Sequence, residues 1–251
     1  MGMATYVLVP GFWLGGWAWD GVAARLRAEG HEVLALTPGG VAERSAEADA
    51  TIESRVADVV EALRGLTDVV LVGHSGAGVV VVAAAERARE HVARLVLVDT
   101  GPMPEGMAQI DFNPPHVRAW VEKVLAEHGG WYPMPSRERL TEIGSSTAGL
   151  GDEEFDRLHA RSTPEPVGTV TGSAHRAAVP DRTLPKTVIA CSFTEAQARA
   201  AIDAGVPAFA EMGGPEWTFV ELPTGHWPMF SEPDTLADLL ISDLGVSERP
   251  S

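Results

Sequence analysis

The chain has 251 residues, of which 45% are hydrophobic and 22% charged, with 26 Gly and 18 Pro. That make-up is close to the average for a folded globular protein and excludes disordered and collagen-like classes, while the length suits one large α/β unit. With 19 Lys and Arg against 35 Asp and Glu the formal charge is −16, which repels phosphate backbones and anionic membranes, so neither nucleic acid nor a membrane is an expected partner.

In chain order, Tyr6–Pro10 is a short apolar run, 11–16 a loop, and Trp17–Glu29 has helical spacing through Val22 and Leu26. His31–Leu36 reads as a strand, and Thr51–Leu63 places Ile52, Val56, Val59, Val60 and Leu63 on one helical stripe. Val69–Gly73 is another strand, Val79–Ala85 opens a nearly all-apolar helix, and Arg94–Asp99 is again a strand. Val and Leu runs without polar alternation are what a parallel sheet covered on both faces requires, so the expected class is α/β with a doubly wound, mostly parallel sheet.

The alternation breaks at Gly101 and resumes at Lys186. Between them lie Pro, Gly, Trp and short helical pieces at His116–Glu127 and Asp152–His159. This predicts a single domain with a core of 1–100 and 186–251 and a partly helical cap inserted over about 101–185. Thr187–Cys191 then reads as a strand, Glu195–Met212 as helical segments interrupted by Pro207, Trp217–Leu222 as the last strand and Asp234–Leu240 as the closing helix.

Gly73-His74-Ser75-Gly76-Ala77-Gly78 lies directly between a strand and a buried helix. That context pushes Ser75 into a strained, exposed position and points helix N–H groups at developing negative charge, so Ser75 is the candidate nucleophile. Among eight histidines, His226 alone follows a late strand by a few residues and precedes the last helix. It is the candidate general base. His74, beside the nucleophile, is expected to turn away from it and to pack or hydrogen bond.

Across Val7–Leu240 the chain resembles the α/β-hydrolase fold family. The segment Leu8-Val-Pro-Gly-Phe-Trp-Leu-Gly-Gly-Trp-Ala-Trp19 is similar to its oxyanion loop in the branch of bacterial esterases, plant methyl-ester esterases and hydroxynitrile lyases, and Gly225–Pro233 resembles its histidine segment. Pro10 stands where the family often has His, Ala77 where the elbow usually has a second Gly, and Trp227 where the lyases carry Lys. A methyl at Ala77 is tolerable if its φ is negative.

The resemblance implies backbone oxyanion donors at Phe12 and Gly76. For the orienting acid it points to the place that Thr194 occupies, an uncharged residue. Asp99, one strand after the nucleophile, is ranked first and Glu195 second, although Ser192 and Glu195 also have capping-box spacing; the absence of any acid is the third option. Trp13 and Trp131 are candidate substrate-binding residues, with Tyr132 and Met134 as further roofing, while Trp17 and Trp19 suit packing at least as well.

The expected activity is hydrolysis of a small to medium apolar carboxylic ester through an acyl-enzyme, with a small molecule as substrate. Two alternatives stand beside it, a lyase or cyclase using the same pocket, and a ligand-binding relative if no acid serves His226. No cofactor or metal is expected, and one cysteine, Cys191, allows neither an internal disulfide nor a cysteine zinc cluster. Met1–Tyr6 lacks a basic n-region and no apolar run nears a spanning length of roughly 18 residues. A cytoplasmic location is expected, with a homodimer as one option for assembly.

Overall fold

The computed structural model describes residues 2–243. Six parallel strands form its sheet: β1 (Thr5–Val9), β2 (Glu32–Ala35), β3 (Val69–His74), β4 (Val92–Val98), and two late strands, Lys186–Ala190 and Trp217–Glu221. The two late strands are β7 and β8, because Trp131–Tyr132 (β5) and Glu165–Pro166 (β6) pair antiparallel as a separate ribbon. The spatial order β2-β1-β3-β4-β7-β8 reverses direction between β1 and β3. In an open α/β sheet such a reversal opens a crevice at the carboxyl ends of the strands, which is where ligands are received.

The α-helices of the described residues are α1 (Asp20–Ala28), α2 (Ile52–Leu63), α3 (Gly78–Arg87), α4 (Pro115–Glu127), α5 (Arg137–Glu142), α6 (Asp152–Arg161), α7 (Val167–Val170), α8 (Glu195–Asp203), α9 (Pro207–Ala210), α10 (Pro228–Ser231) and α11 (Pro233–Asp243). Each begins or ends for a local reason. The helix expected over Trp17–Glu29 is a 3-10 turn at Gly16–Trp19 followed by α1, and it stops where Gly30 takes φ +85 and His31 N–H donates to the Leu26 carbonyl, a Schellman closure. Thr51 caps α2 in a reciprocal pair with Ser54. Pro207 begins a new helix, α9, because a proline at the first position loses no hydrogen bond.

The α3 run Val79-Val80-Val81-Val82 is almost wholly buried. Each of these side chains contributes about 1.5–3 kcal/mol by leaving water, which locks the helix behind β3 and so fixes the turn between them. Arg55 of α2 departs from the expected pattern. It is buried on the same face as Ile52, Val56 and Val59, and a buried guanidinium requires a partner.

Between β4 and β7 the chain forms α4 to α7 and the β5–β6 ribbon. Its apolar residues Val117, Val121, Leu140 and Phe155 join the same core cluster as Tyr6, Leu8 and Val72 of the sheet. No helix among the described residues is long and apolar enough to cross a membrane.

Candidate active site

Ser75 follows β3 at φ +51, a left-handed conformation that a non-glycine residue holds only when its surroundings enforce it. The turn around it is tight. A Cβ on Gly76 would stand 2.7 Å from the Phe12 ring, and one on Gly11 would stand 2.7 Å from the Ser75 Cβ, so glycine is needed at both positions for the first loop to lie against the elbow. Ala77 has φ −78, and its methyl is accommodated without strain.

The Ser75 hydroxyl donates to His226 Nε2 at 2.7 Å. His226 Nδ1 lies 2.6 Å from Asp99 Oδ2, and because a carboxylate only accepts, the Nδ1 proton points at Asp99 and Nε2 is left with its lone pair toward Ser75. Asp99 itself sits just past β4 with φ +51. Its Oδ1 accepts from the N–H groups of Cys191 and Ser192 at 3.0 and 2.8 Å, and Oδ2 also accepts from Ser192 Oγ at 2.6 Å. Burial pushes the Asp99 carboxyl up, but the His226 imidazole and the Ser192 donors outweigh it and hold the acid at about 2. A serine hydroxyl, an imidazole and a buried carboxylate in this order are the arrangement that activates an oxygen nucleophile and stabilises the imidazolium formed on attack.

The other expected residues fall elsewhere or do something different. Glu195 begins α8 on the surface, where its carboxylate pairs with Arg199. The capping box at that helix is Thr194 with Gln197, and the Ser192–Glu195 spacing plays no part in it. Trp13 lines the cavity at Ser75, but Trp131 is not in its wall; Tyr132, the next residue of β5, is. Successive strand residues face opposite ways, so the two cannot both point inward. Met134 is buried outside that wall, Trp19 is fully buried with its ring edge-on to His74, and Trp17 stacks near Phe230. Cys191 contributes its N–H, while burial pushes its thiol up.

His74 turns away from Ser75 as its neighbour requires, and its Nε2–H donates to the His226 carbonyl at 2.6 Å. The His226 N–H in turn donates to the Ser146 carbonyl at 2.8 Å, so the peptide units on both sides of His226 are held. Burial first, then the nearby His226, lowers His74 from 6.5 to about 3 and keeps it neutral. An unfolded histidine takes up its proton near 6.5 whereas the folded one waits until about 3. The unfolded state therefore binds more protons in this window, and stability is lost as the pH falls through it. Replacing His74 with Gln, which keeps a terminal N–H donor but does not titrate, is expected to flatten the slope of unfolding free energy between pH 4 and 6 by up to about 1.4 kcal/mol per pH unit. Urea unfolding across that range checks it, and an unchanged slope would locate the acid sensitivity in another group. Asp99 acts lower, between about 3.8 and about 2.

The crevice above Ser75 is a cavity of about 200 Å³ whose walls include Phe12, Trp13, Met103, Phe112, Tyr132 and Phe209, with Ser75, Asp99 and His226 at its floor. A larger space of about 360 Å³ lies behind the elbow against Pro10, Gly76 and Ala77, without Ser75 or His226 in its wall. Among the described residues no group of three or more His, Cys, Asp or Glu stands together as metal ligands.

Residues 6–239 match the sequence model of the Alpha/beta hydrolase family. The chain belongs to that family. This α/β-hydrolase is 28% identical over 252 residues to the carbendazim hydrolyzing esterase of Nocardioides sp. (strain SG-4G), covering 95% of this chain and 98% of the relative. Its fold superposes on an extracellular α/β-hydrolase from a Paenibacillus species, described as sharing structural and functional homology with tobacco salicylic acid binding protein 2, at a TM-score of 0.80, 20% identity and coverage of 95% and 98%. A methylesterase from Arabidopsis superposes at 0.69 with 15% identity and coverage of 97% and 100%. These likenesses are consistent with the branch that its oxyanion-loop and histidine segments resemble.

Proposed function

We propose that this hydrolase cleaves a small to medium apolar carboxylic ester through an acyl-enzyme on Ser75. The observation that carries the reading is the continuous hydrogen-bonded chain Ser75–His226–Asp99 at the floor of an aromatic-walled cavity. Ser75 Oγ attacks the ester carbonyl while His226 Nε2 takes its proton, and the Phe12 and Gly76 N–H groups receive the oxyanion. As the tetrahedral intermediate collapses, His226 returns that proton to the departing alcohol. Water then enters, loses a proton to His226 and attacks the acyl carbon, and Ser75 leaves with the proton restored.

The aromatic walls favour a substrate with an aromatic portion, since flat rings pack edge-to-face or offset against such side chains. The name of the Nocardioides relative, an esterase, agrees with this class of reaction. A purely ligand-binding role is favoured if no acid reaches His226, and Asp99 Oδ2 at 2.6 Å from Nδ1 weighs against it. Trp227 in place of the lyases' Lys weighs against cyanohydrin cleavage.

The test uses a 4-nitrophenyl ester of a short fatty acid and a fluorophosphonate. A burst of 4-nitrophenol equal to the enzyme concentration, with the phosphonate found on the Ser75 peptide by mass spectrometry, is the expected result. Turnover with no burst and no label at Ser75 would overturn the acyl-enzyme.

A further inference from the structure

Trp13, directly after the residue assigned the first oxyanion donor, is held at every polar atom by the segment between β4 and β7. Its N–H donates to Glu165 Oε1 at 2.7 Å, its carbonyl accepts from the Thr163 N–H at 3.0 Å, and its indole N–H donates to the Tyr132 carbonyl at 3.0 Å. Glu165 and Tyr132 stand opposite each other on the β5–β6 ribbon. Trp13 needs this grip because its φ is +68, a strained conformation for a non-glycine residue that persists only when over-determined.

Glu165 is fully buried, and such a carboxylate is tolerated only with its charge matched. Its Oε2 accepts from Arg55 Nη2 at 2.8 Å and from Thr169 Oγ1 at 2.7 Å. Arg55, also buried, fixes itself by donating from Nε and Nη2 to the Gly39 carbonyl. A line of bonds thus runs from α2 through Arg55 and Glu165 to the backbone of the first loop. The serine mechanism gives Glu165 no role, nor does packing alone explain a buried charge aimed at a main-chain N–H.

We propose that Glu165, neutralised by Arg55, is a positioning residue that sets the oxyanion loop through the Trp13 N–H. This rests on the acyl-enzyme reading above. By engaging the Trp13 N–H, the carboxylate fixes the peptide plane after Phe12 and leaves the Phe12 N–H as the loop donor free to meet the oxyanion. A charged acceptor makes that bond about twice as strong as a neutral one, and Arg55 prevents a bare negative charge from opposing the one that develops on the substrate.

Two variants test it. Glu165→Asp keeps the charge beside Arg55 but shortens the reach to Trp13. Arg55→Met with Glu165→Met removes the charges together, a change that buried ion pairs often tolerate in stability. In each, kcat for the 4-nitrophenyl ester is expected to fall about 10- to 100-fold with KM within about 3-fold, because a misplaced donor acts on the transition state and less on ground-state binding. Arg55→Met with Glu165→Gln returns a neutral acceptor to the Trp13 N–H and is expected to recover most of the kcat lost by the Met pair.

A kcat unchanged in Glu165→Asp overturns the inference, and so does a Gln variant as impaired as the Met pair while equally folded by circular dichroism. The acyl-enzyme reading is judged separately by the burst and Ser75 label of the unaltered enzyme. If these are present while Glu165→Asp keeps full kcat, only the role of Glu165 falls.

Discussion

His226→Ala is expected to lower ester turnover by about 10⁵- to 10⁶-fold, and Ser75→Ala by about as much, because members of such a unit fail together. The imidazole Nε2 receives the Ser75 proton at 2.7 Å, and no other histidine stands in that position: His74, the nearest in sequence, is turned to the His226 carbonyl. Without a base the hydroxyl must attack while still protonated. The double substitution is therefore expected to be no slower than either single one, a non-additivity that marks joint action. Ser75→Ala removes a partly exposed hydroxyl and is expected to leave stability within about 0.5 kcal/mol. Stopped-flow acylation with the 4-nitrophenyl ester and urea unfolding measure the two effects. A loss of only a few-fold for His226→Ala would reassign the base.

Asp99→Asn is expected to cost about 10³- to 10⁴-fold in turnover. The orientation of the new amide is set by the backbone. The Cys191 and Ser192 N–H groups both donate to Oδ1, so the asparagine oxygen takes that place and its NH₂ faces His226. An NH₂ donating to Nδ1 forces the imidazole proton onto Nε2, the nitrogen that must accept from Ser75. The shape is kept and the tautomer is wrong. Glu195→Gln is expected to leave turnover unchanged and to cost about 0.5 kcal/mol, the worth of an exposed pair with Arg199. Measured side by side for turnover and stability, full activity in both variants would show that neither carboxylate orients His226.

The elbow was legible because its signal is local. A strand, a serine among small residues and an all-apolar helix follow one another within about twenty positions, and each depends on its own side chains. Local rules also placed most helices and strands, with errors of a few residues at their ends. The expected Arg94–Asp99 strand begins at Val92 and ends at Val98, for instance, because Asp99 takes a left-handed turn. Glu165 went unnoticed for the opposite reason, since it lies between Pro164 and Pro166 in a stretch without periodicity. Its partner did leave a trace. Arg55 interrupts the Ile52, Val56, Val59 stripe of α2, and an arginine on a core-facing position signals a buried acid somewhere else in the chain.

By itself, the sequence determined the order of strands and helices, a sheet buried on both faces, the serine on its turn and the histidine before the last helix. These depend on residues close along the chain, where burial periodicity and turn chemistry act directly. Only the tertiary structure decided which acid meets His226, which aromatic residue of the Trp131–Tyr132 pair faces the cavity, and what holds Trp13 in its strained conformation. Asp99 lies 127 positions from His226, and Glu165 lies 152 from Trp13. Contacts at such separations arise from how β4, β7 and the β5–β6 ribbon are brought together, and a difference of one residue in strand register would change every one of them.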